Sequence, residues 1–238
     1  MSQPQQSTLR NRLLKALSGD DFALLQPHLE PVHTELRQTL IAPNEPVKKL
    51  FFPESGYVSM VTQGPQGDKV EAALIGWEGV VGASPVLLGA DRTPHHMFVQ
   101  APGEMLAIDT PALCAAVDQS PSLRKVLLRY TQVLLVEAVQ TAFVNATYQI
   151  EVRLARWVVM CHDRVDGDEL VMTHDFVAMM LGVQRSSATL AVQAPEGLLL
   201  IKAKRGRMTM RDRQGLIDLA DGGYGLPEAE YARLIEGA

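Results

Sequence analysis

Cysteine is scarce in this 238-residue chain, and its two cysteines are far apart. Cys114 and Cys161 form no CxxC pair, so neither a metal site nor a disulfide framework is supported. An iron–sulfur cluster takes about four cysteine ligands, which excludes that cofactor too. So few cysteines are typical of a protein from a reducing cytosol.

Long apolar runs are missing as well. The start of the chain, MSQPQQSTLRNRLL, has no apolar core of signal-peptide length. The most apolar run, VLLVEAVQTAFV, is short and contains Glu137, so we expect no membrane span. Both features predict a cytoplasmic protein with no membrane partner.

Sequence motifs of the common enzyme classes are missing too. The chain contains no GxSxG, no phosphate-binding P-loop and no HExxH. Two His-Asp pairs, at 162–163 and 174–175, are neighbours in sequence, which provides no triad geometry and is typical of helix ends. We therefore predict no catalytic residues, no metal ligands and no enzymatic activity.

Positive charge is concentrated in one segment of an acidic protein. The formal net charge is −5, yet residues 184–213 contain seven Lys or Arg against two Asp or Glu. That segment has an excess of five positive charges, so the rest of the chain carries −10. Such an asymmetry indicates a segment that faces nucleic acid.

The front half of the chain has the pattern of an antiparallel β domain. After a helical lead over about 8–30, short apolar runs such as YVSMV, KVEAALI and EMLAI alternate with turn clusters between about 32 and 110. This pattern predicts an antiparallel sandwich or β-roll.

A long helix is predicted over 122–147, where 26 residues contain neither Gly nor Pro. Its apolar residues cover more than half of the helix circumference, so two faces must be buried. It is either a central core helix or the interface of a homodimer, which we favour because a small β domain cannot cover both faces. The residues expected in the interface are Leu127, Tyr130, Leu134, Val139 and Phe143.

The stretch MTHDFVAMMLGVQRSSATLAVQA has the pattern of a helix-turn-helix, preceded by a helix at roughly 149–163. Thr173 is the predicted N-cap of the first helix, and Gly182 permits the left-handed conformation that ends it. The second helix is expected to bury Ala188, Ala191 and Val192. Pro195 predicts an end or a kink of that helix near Ala194.

The exposed face of the second helix is suited to DNA. Arg185 can donate two hydrogen bonds to a guanine in the major groove, and short hydroxylated side chains beside it suit phosphate oxygens. The following segment, GLLLIKAKRGRMTMRDR, predicts a basic hairpin that turns at Arg205 and Gly206. The predicted DNA-binding residues are Thr173, Gln184, Arg185, Ser186, Ser187, Thr189, Lys202, Lys204, Arg205 and Arg207.

With a β-rich front half, a long helix and a winged helix-turn-helix, the chain resembles the Crp/Fnr family of bacterial transcription regulators. The resemblance implies an α+β fold, with a cyclic-nucleotide-binding-like sensory β-roll or jelly roll over 1–120, a dimerisation helix over 121–148 and a winged helix-turn-helix domain over 149–238. It also implies a homodimer that binds an inverted repeat in double-stranded DNA, with Arg185 on a guanine, and contact with RNA polymerase in an activator.

The sensory half departs from the family's cyclic-nucleotide pattern. If Gly82 is the matching glycine, Ala83 stands where that pattern has a glutamate, and Arg92–Thr93 only resembles its phosphate-binding pair. We therefore do not expect cyclic AMP as the effector, whose identity stays open. The candidate effector pocket consists of Trp77, Glu78, Gly82, Ala83, Arg92, Thr93 and His95.

Haem is not favoured as a cofactor, although His95, His96 and Met97 are candidate ligands. Adjacent residues on a strand point to opposite faces, so at most one of the two histidines faces inward. Two alternatives remain. The regulator could bind DNA without any effector, or the β domain could serve small-molecule binding or an enzymatic activity while the winged helix contacts another protein.

Overall fold

The computed structural model describes residues 3–237 and has the predicted α+β architecture. All of its paired strands run antiparallel, in a three-stranded sheet β1-β7-β3, a four-stranded sheet β2-β6-β4-β5 and a three-stranded sheet β8-β10-β9. The strands are β1 Glu30–His33, β2 Thr39–Ile41, β3 Lys49–Pro53, β4 Tyr57–Gln63, β5 Lys69–Ile75, β6 His96–Ala101, β7 Glu104–Asp109, β8 Glu169–Val171, β9 Ile201–Lys204 and β10 Arg207–Met210.

Over the residues that the structure describes, ten α-helices accompany the strands. They are α1 Arg12–Lys15, α2 Gly19–Leu25, α3 Ala83–Leu87, α4 Thr110–Gln119, α5 Pro121–Thr147, α6 Ile150–His162, α7 His174–Leu181, α8 Arg185–Gly197, α9 Arg213–Leu219 and α10 Leu226–Tyr231. The helical lead consists of separate helices, because the Ser18 hydroxyl accepts a hydrogen bond from the Asp21 amide and caps α2 after α1 has ended. Within residues 3–237, no helix is long and apolar enough to cross a membrane.

The first seven strands form the half of the chain for which a sensory role is expected, which we call the sensory half, with the core between its two sheets. Strand β4 pairs with both β5 and β6, and alternating residues such as Val58 and Met60 pack inside. Both faces of β4 are buried, because Tyr57 and Val61 point to the other side and pack against the helix-turn-helix half. The antiparallel β-roll predicted for the front half is therefore confirmed.

Helix α5 spans 27 residues and matches the predicted long helix within one residue at its start. The structure corrects part of the predicted dimer interface, because Leu127, Tyr130 and Leu134 are buried within their own protomer. Val139 and Phe143 stay exposed. The sequence pattern showed that two faces are apolar but could not tell which one covers the sensory half.

Helix α10 and the residues after it pack against the sensory half. Tyr231 of α10 belongs to the same buried cluster as Leu13 of α1 and Leu127 of α5, and Leu234 and Ile235 pack against that cluster. Residues 226–236 therefore cover the long helix and the amino-terminal segment, and the unit formed by the helix-turn-helix ends before them.

Candidate nucleic-acid interface

The first helix of the predicted motif begins and ends as its sequence indicates. The Thr173 hydroxyl accepts a hydrogen bond from the Phe176 amide, which caps α7. Gly182 ends the helix with φ of 63°, in the left-handed region that favours glycine. Helices α7 and α8 therefore meet at a sharp, specified turn.

The second helix presents the predicted polar face. Ala188, Ala191 and Val192 are buried in the core of this half, while the Arg185 side chain is 70% exposed. Ser186 is exposed as well, and Ser187 is half-buried. The first turn of α8 thus has no side-chain cap and carries the exposed Arg185 side chain.

Of the end or kink predicted near Ala194, the end is not found there. Helix α8 continues to Gly197, and Pro195 is buried near its last turn. Proline removes one amide donor, but the neighbouring backbone still closes the helix through a bond from the Leu198 amide to the Ala194 carbonyl. The helix end is therefore three residues later than the sequence predicted.

The basic hairpin forms as predicted, and we call residues 201–210 the wing. Strands β9 and β10 pair antiparallel around a turn in which Arg205 and Gly206 both have positive φ. The side chains of Lys202, Lys204, Arg205 and Arg207 are all exposed. The wing therefore adds four cations to the side of the half that carries α8.

Two contacts at this surface were not predicted. The Arg185 Nε atom lies 3.1 Å from the Asp175 Oδ1 atom, and the His174 Nδ1 atom lies 3.1 Å from the Thr189 Oγ1 atom. Both partners come from α7, in the His174–Asp175 pair whose sequence indicates only a helix end. They hold the first turns of α7 and α8 together and orient the Arg185 side chain.

Strand β8, the third strand of the sheet that contains the wing, was not predicted from the sequence. Strand β8 pairs with β10, and Arg207 forms an ion pair with Glu169 across the two strands. Only three residues of β8 are extended, with Leu170 buried between two exposed neighbours. A run this short after the DRVDGDE loop has no sequence pattern that separates it from a loop.

The helix-turn-helix packs against the sensory sheet. Val70 of β5 lies beside the turn, so that a Cβ atom built on Gly182 would be 2.8 Å from the Val70 Cγ2 atom. Phe98 and Phe176 meet edge to face with ring centroids 6.5 Å apart. Residues of the sheet and of the helix-turn-helix form one continuous buried cluster.

The predicted effector residues lie in three places. Trp77 and Glu78 line a cavity that also contacts α5 and α10. Gly82 lies against Ile41 and Val47 in the core of the roll, with Ala83 buried beside it. The remaining three sit on the loop before β6, where Arg92 is exposed, Thr93 is buried and the His95 amide donates to the Thr93 hydroxyl.

Comparison with known proteins identifies the domain and the fold. Residues 152–219 match the Crp-like helix-turn-helix domain family. The chain is similar to FixK2 from Bradyrhizobium japonicum, at 14% identity and a TM-score of 0.68, with 80% of this chain and 96% of that chain covered. No curated protein sequence matches it.

Two further solved structures are similar to the chain over about the same share of its length. A Crp/Fnr-family transcriptional regulator from Thermus thermophilus is 20% identical, with a TM-score of 0.65 and coverage of 82% of this chain and 100% of that chain. The c-di-GMP responsive global regulator CLP from Xanthomonas campestris is 16% identical, with a TM-score of 0.64 and coverage of 81% and 99%. The chain therefore has the Crp/Fnr-type transcriptional regulator fold, with a Crp-like helix-turn-helix DNA-binding domain at residues 152–219.

Proposed function

We propose that the protein is a sequence-specific transcription regulator that binds an inverted repeat in double-stranded DNA as a homodimer. The observation that carries the proposal is the exposed first turn of α8, with the exposed Arg185 side chain beside Asp175 and the cationic wing next to it. In helix-turn-helix proteins, that turn enters the major groove and reaches base edges. Arg185 would read a guanine, while the wing lies along phosphates.

Ser186, Ser187 and Gln184 are assigned to the backbone of the same half-site. Their short or flexible polar side chains surround the start of α8, where backbone amides point outward and the helix dipole favours an anion. Thr173 and Thr189 act differently. Thr173 accepts the bond that caps α7 and keeps its O–H to donate to a phosphate oxygen. Thr189 donates to the Arg185 carbonyl and contacts His174, so it positions the surface.

The dimer interface is assigned to one exposed face of α5. Leu128, Leu135, Val139 and Phe143 form an apolar stripe at helical spacing, with Leu135 56%, Val139 61% and Phe143 51% exposed. A second copy of the chain would cover this stripe with its own, as in an isologous two-fold interface. Such a dimer presents two recognition helices, which must lie about 34–36 Å apart to enter successive major grooves.

Any effector of this regulator is expected to differ from cyclic AMP. The residues in the roll do not fit that nucleotide, because Ala83 has no group to hold a ribose and Arg92 is paired with Asp91 on an exposed loop. A cyclic phosphate would then lack its strongest charge-assisted contact. The alternative form of the proposal is that the dimer binds DNA without any effector.

The proposal is tested by the salt dependence of binding to a random-sequence duplex, followed by fluorescence anisotropy. Phosphate contacts release counterions, so the logarithm of the association constant should fall linearly with the logarithm of the salt concentration. A binding constant that does not change with salt would favour a winged helix that contacts protein. The same titration with single-stranded DNA shows whether the duplex is preferred.

A further inference from the structure

A cavity of about 410 Å³ lies where the two halves of the protein meet, and we call it the junction cavity. It is within the size range of small-molecule sites. Five separate parts of the chain supply its walls: α1, the loop after β5, α5, the segment after α6 and the region of α10. The lining residues that matter for its chemistry are Glu78, Val133, Glu137, Arg164, Glu228 and Tyr231.

Negative charge exceeds positive charge in the lining of the junction cavity. Four carboxylates line it against two guanidinium groups, those of Arg12 and Arg164. Asp163 is neutralised by Arg213, at 2.6 Å, but this leaves Arg164 facing three glutamates. Arg156 donates to the Gly223 carbonyl and the Thr141 hydroxyl, and its positive charge offsets part of the excess by stabilising ionised Glu137 and Glu228.

Neither arginine of the lining is available for an anionic ligand. Arg164 donates to Glu78 at 2.9 Å and to the Met160 carbonyl at 2.8 Å, and it also reaches Glu137. Arg12 pairs with Glu236 and stacks over the Tyr231 ring, with 4.9 Å to its centroid. The excess charge therefore favours a cation.

Two carboxyl groups of the lining have raised pKa values. Burial raises the pKa of Glu137 to about 7, even though Arg164 and the Leu74 amide oppose the shift. Burial also raises the pKa of Glu228, whose Oε2 atom accepts a bond from the Gly225 amide. A bound cation would stabilise the ionised form of both groups.

Tyr231 supplies a second, independent indication of a ligand. The residue is only 4% exposed and lines the junction cavity. Its hydroxyl has no hydrogen-bond partner among the residues that the structure describes. A buried hydroxyl without a partner is unfavourable, so a donor or acceptor inside the cavity would stabilise it.

We propose that the junction cavity binds a small aliphatic amine, with its ammonium group held by Glu228 and the Tyr231 hydroxyl. The alkyl part packs against Val133 and Pro227, which supply apolar wall. A metal ion does not suit the site, because residues 3–237 contain no group of three His, Cys, Asp or Glu side chains placed to hold one. The cavity lies apart from Gly82 and Ala83, where the family's nucleotide pattern falls.

The test is isothermal titration calorimetry of the full chain with putrescine, a four-carbon diamine. Butanediol serves as a neutral probe of the same length, and succinate serves as an anionic one. We expect saturable binding of putrescine and none of the other two. Because no DNA is present, the result is independent of the proposed regulatory function.

Variants locate the binding. Glu228→Gln and Tyr231→Phe should each weaken putrescine binding, the former about tenfold since a charged hydrogen bond is lost. The matched control is Glu230→Gln, whose carboxylate pairs with Arg233 and does not line the cavity. Circular dichroism melts verify that each variant folds. If Glu228→Gln does not fold, the binding of putrescine to Tyr231→Phe tests the proposal. Absence of putrescine binding, equal binding of butanediol, or an equal loss in Glu230→Gln overturns the proposal.

Discussion

The Trp157 Nε1 atom donates a hydrogen bond of 2.7 Å to the Glu71 Oε1 atom and thereby joins the helix-turn-helix half to the sensory sheet. Glu71 is buried and its Oε2 atom has no partner among the described residues. Complete burial raises the pKa of Glu71 to about 8, although the bond from Trp157 acts in the opposite direction. Glu71 is therefore protonated in the folded protein at neutral pH.

This relationship predicts that Glu71 makes stability depend on pH. The folded protein holds the Glu71 proton up to about pH 8, whereas the unfolded chain loses it near pH 4.5, so the free energy of unfolding falls as pH rises through this window. Glu71→Gln keeps the bond to Trp157 and cannot ionise. Urea unfolding at pH 5, 6.5 and 8 should show the variant gaining stability over the wild type as pH rises. A constant difference would contradict the assigned protonation state.

A second prediction concerns the turn between α7 and α8. Gly182→Ala forces a side chain into the left-handed region and toward Val70, so we expect the free energy of unfolding to fall by about 1–2 kcal/mol or more. Gly197→Ala is the matched control, because no atom lies within 4 Å of its added Cβ position. Denaturant unfolding compares the two. An equal effect of both substitutions would contradict the role of the turn.

A third prediction separates the wing from the recognition helix. Lys204→Ala and Arg205→Ala each remove one exposed cation, so each should weaken binding to all duplexes alike and reduce the salt slope by about 1. Lys15→Ala removes an equally exposed cation from α1 and should leave the slope unchanged. Anisotropy titrations over several salt concentrations provide the measurement. A wing variant that alters sequence preference would contradict the assignment.

A fourth prediction concerns the apolar stripe on α5. Val139→Glu places a charge on the surface that a partner protomer should cover, so we expect a monomer that binds an inverted repeat far more weakly. Leu88→Glu introduces the same charge at a residue that is 69% exposed on the sensory half and should leave the dimer intact. Light scattering measures the mass of each. A Val139→Glu protein that is still dimeric would show that this face of α5 is not the dimer interface.

Much of the fold could be predicted because its signals are local. The N-cap at Thr173, the left-handed residue at Gly182 and the turn at Arg205 depend on residues within a few positions of one another. The alternation in β9 and β10 likewise indicates which side chains face outward. Such features are present in the sequence before any tertiary contact forms.

What could not be predicted depends on contacts between distant parts of the chain. Nothing local shows that Leu127 faces the sensory half while Leu128 faces outward, because both are leucines on one apolar helix. The pairing of Glu71 with Trp157 joins residues 86 positions apart. The junction cavity likewise combines Glu78, Glu137 and Glu228, whose carboxylates have no shared spacing in the sequence.

The central claim is that Arg185 reads a base, and a binding selection on random duplex DNA tests it most directly. Purified protein without added ligand is compared with Arg185→Ala, and Lys15→Ala serves as a control for a lost surface charge. We predict that the wild type and the control enrich the same inverted repeat with a guanine in each half-site. Arg185→Ala should lose the preference at that guanine, worth about 1–3 kcal/mol. An unchanged enriched sequence in Arg185→Ala would contradict the assignment of α8 as the base-reading helix.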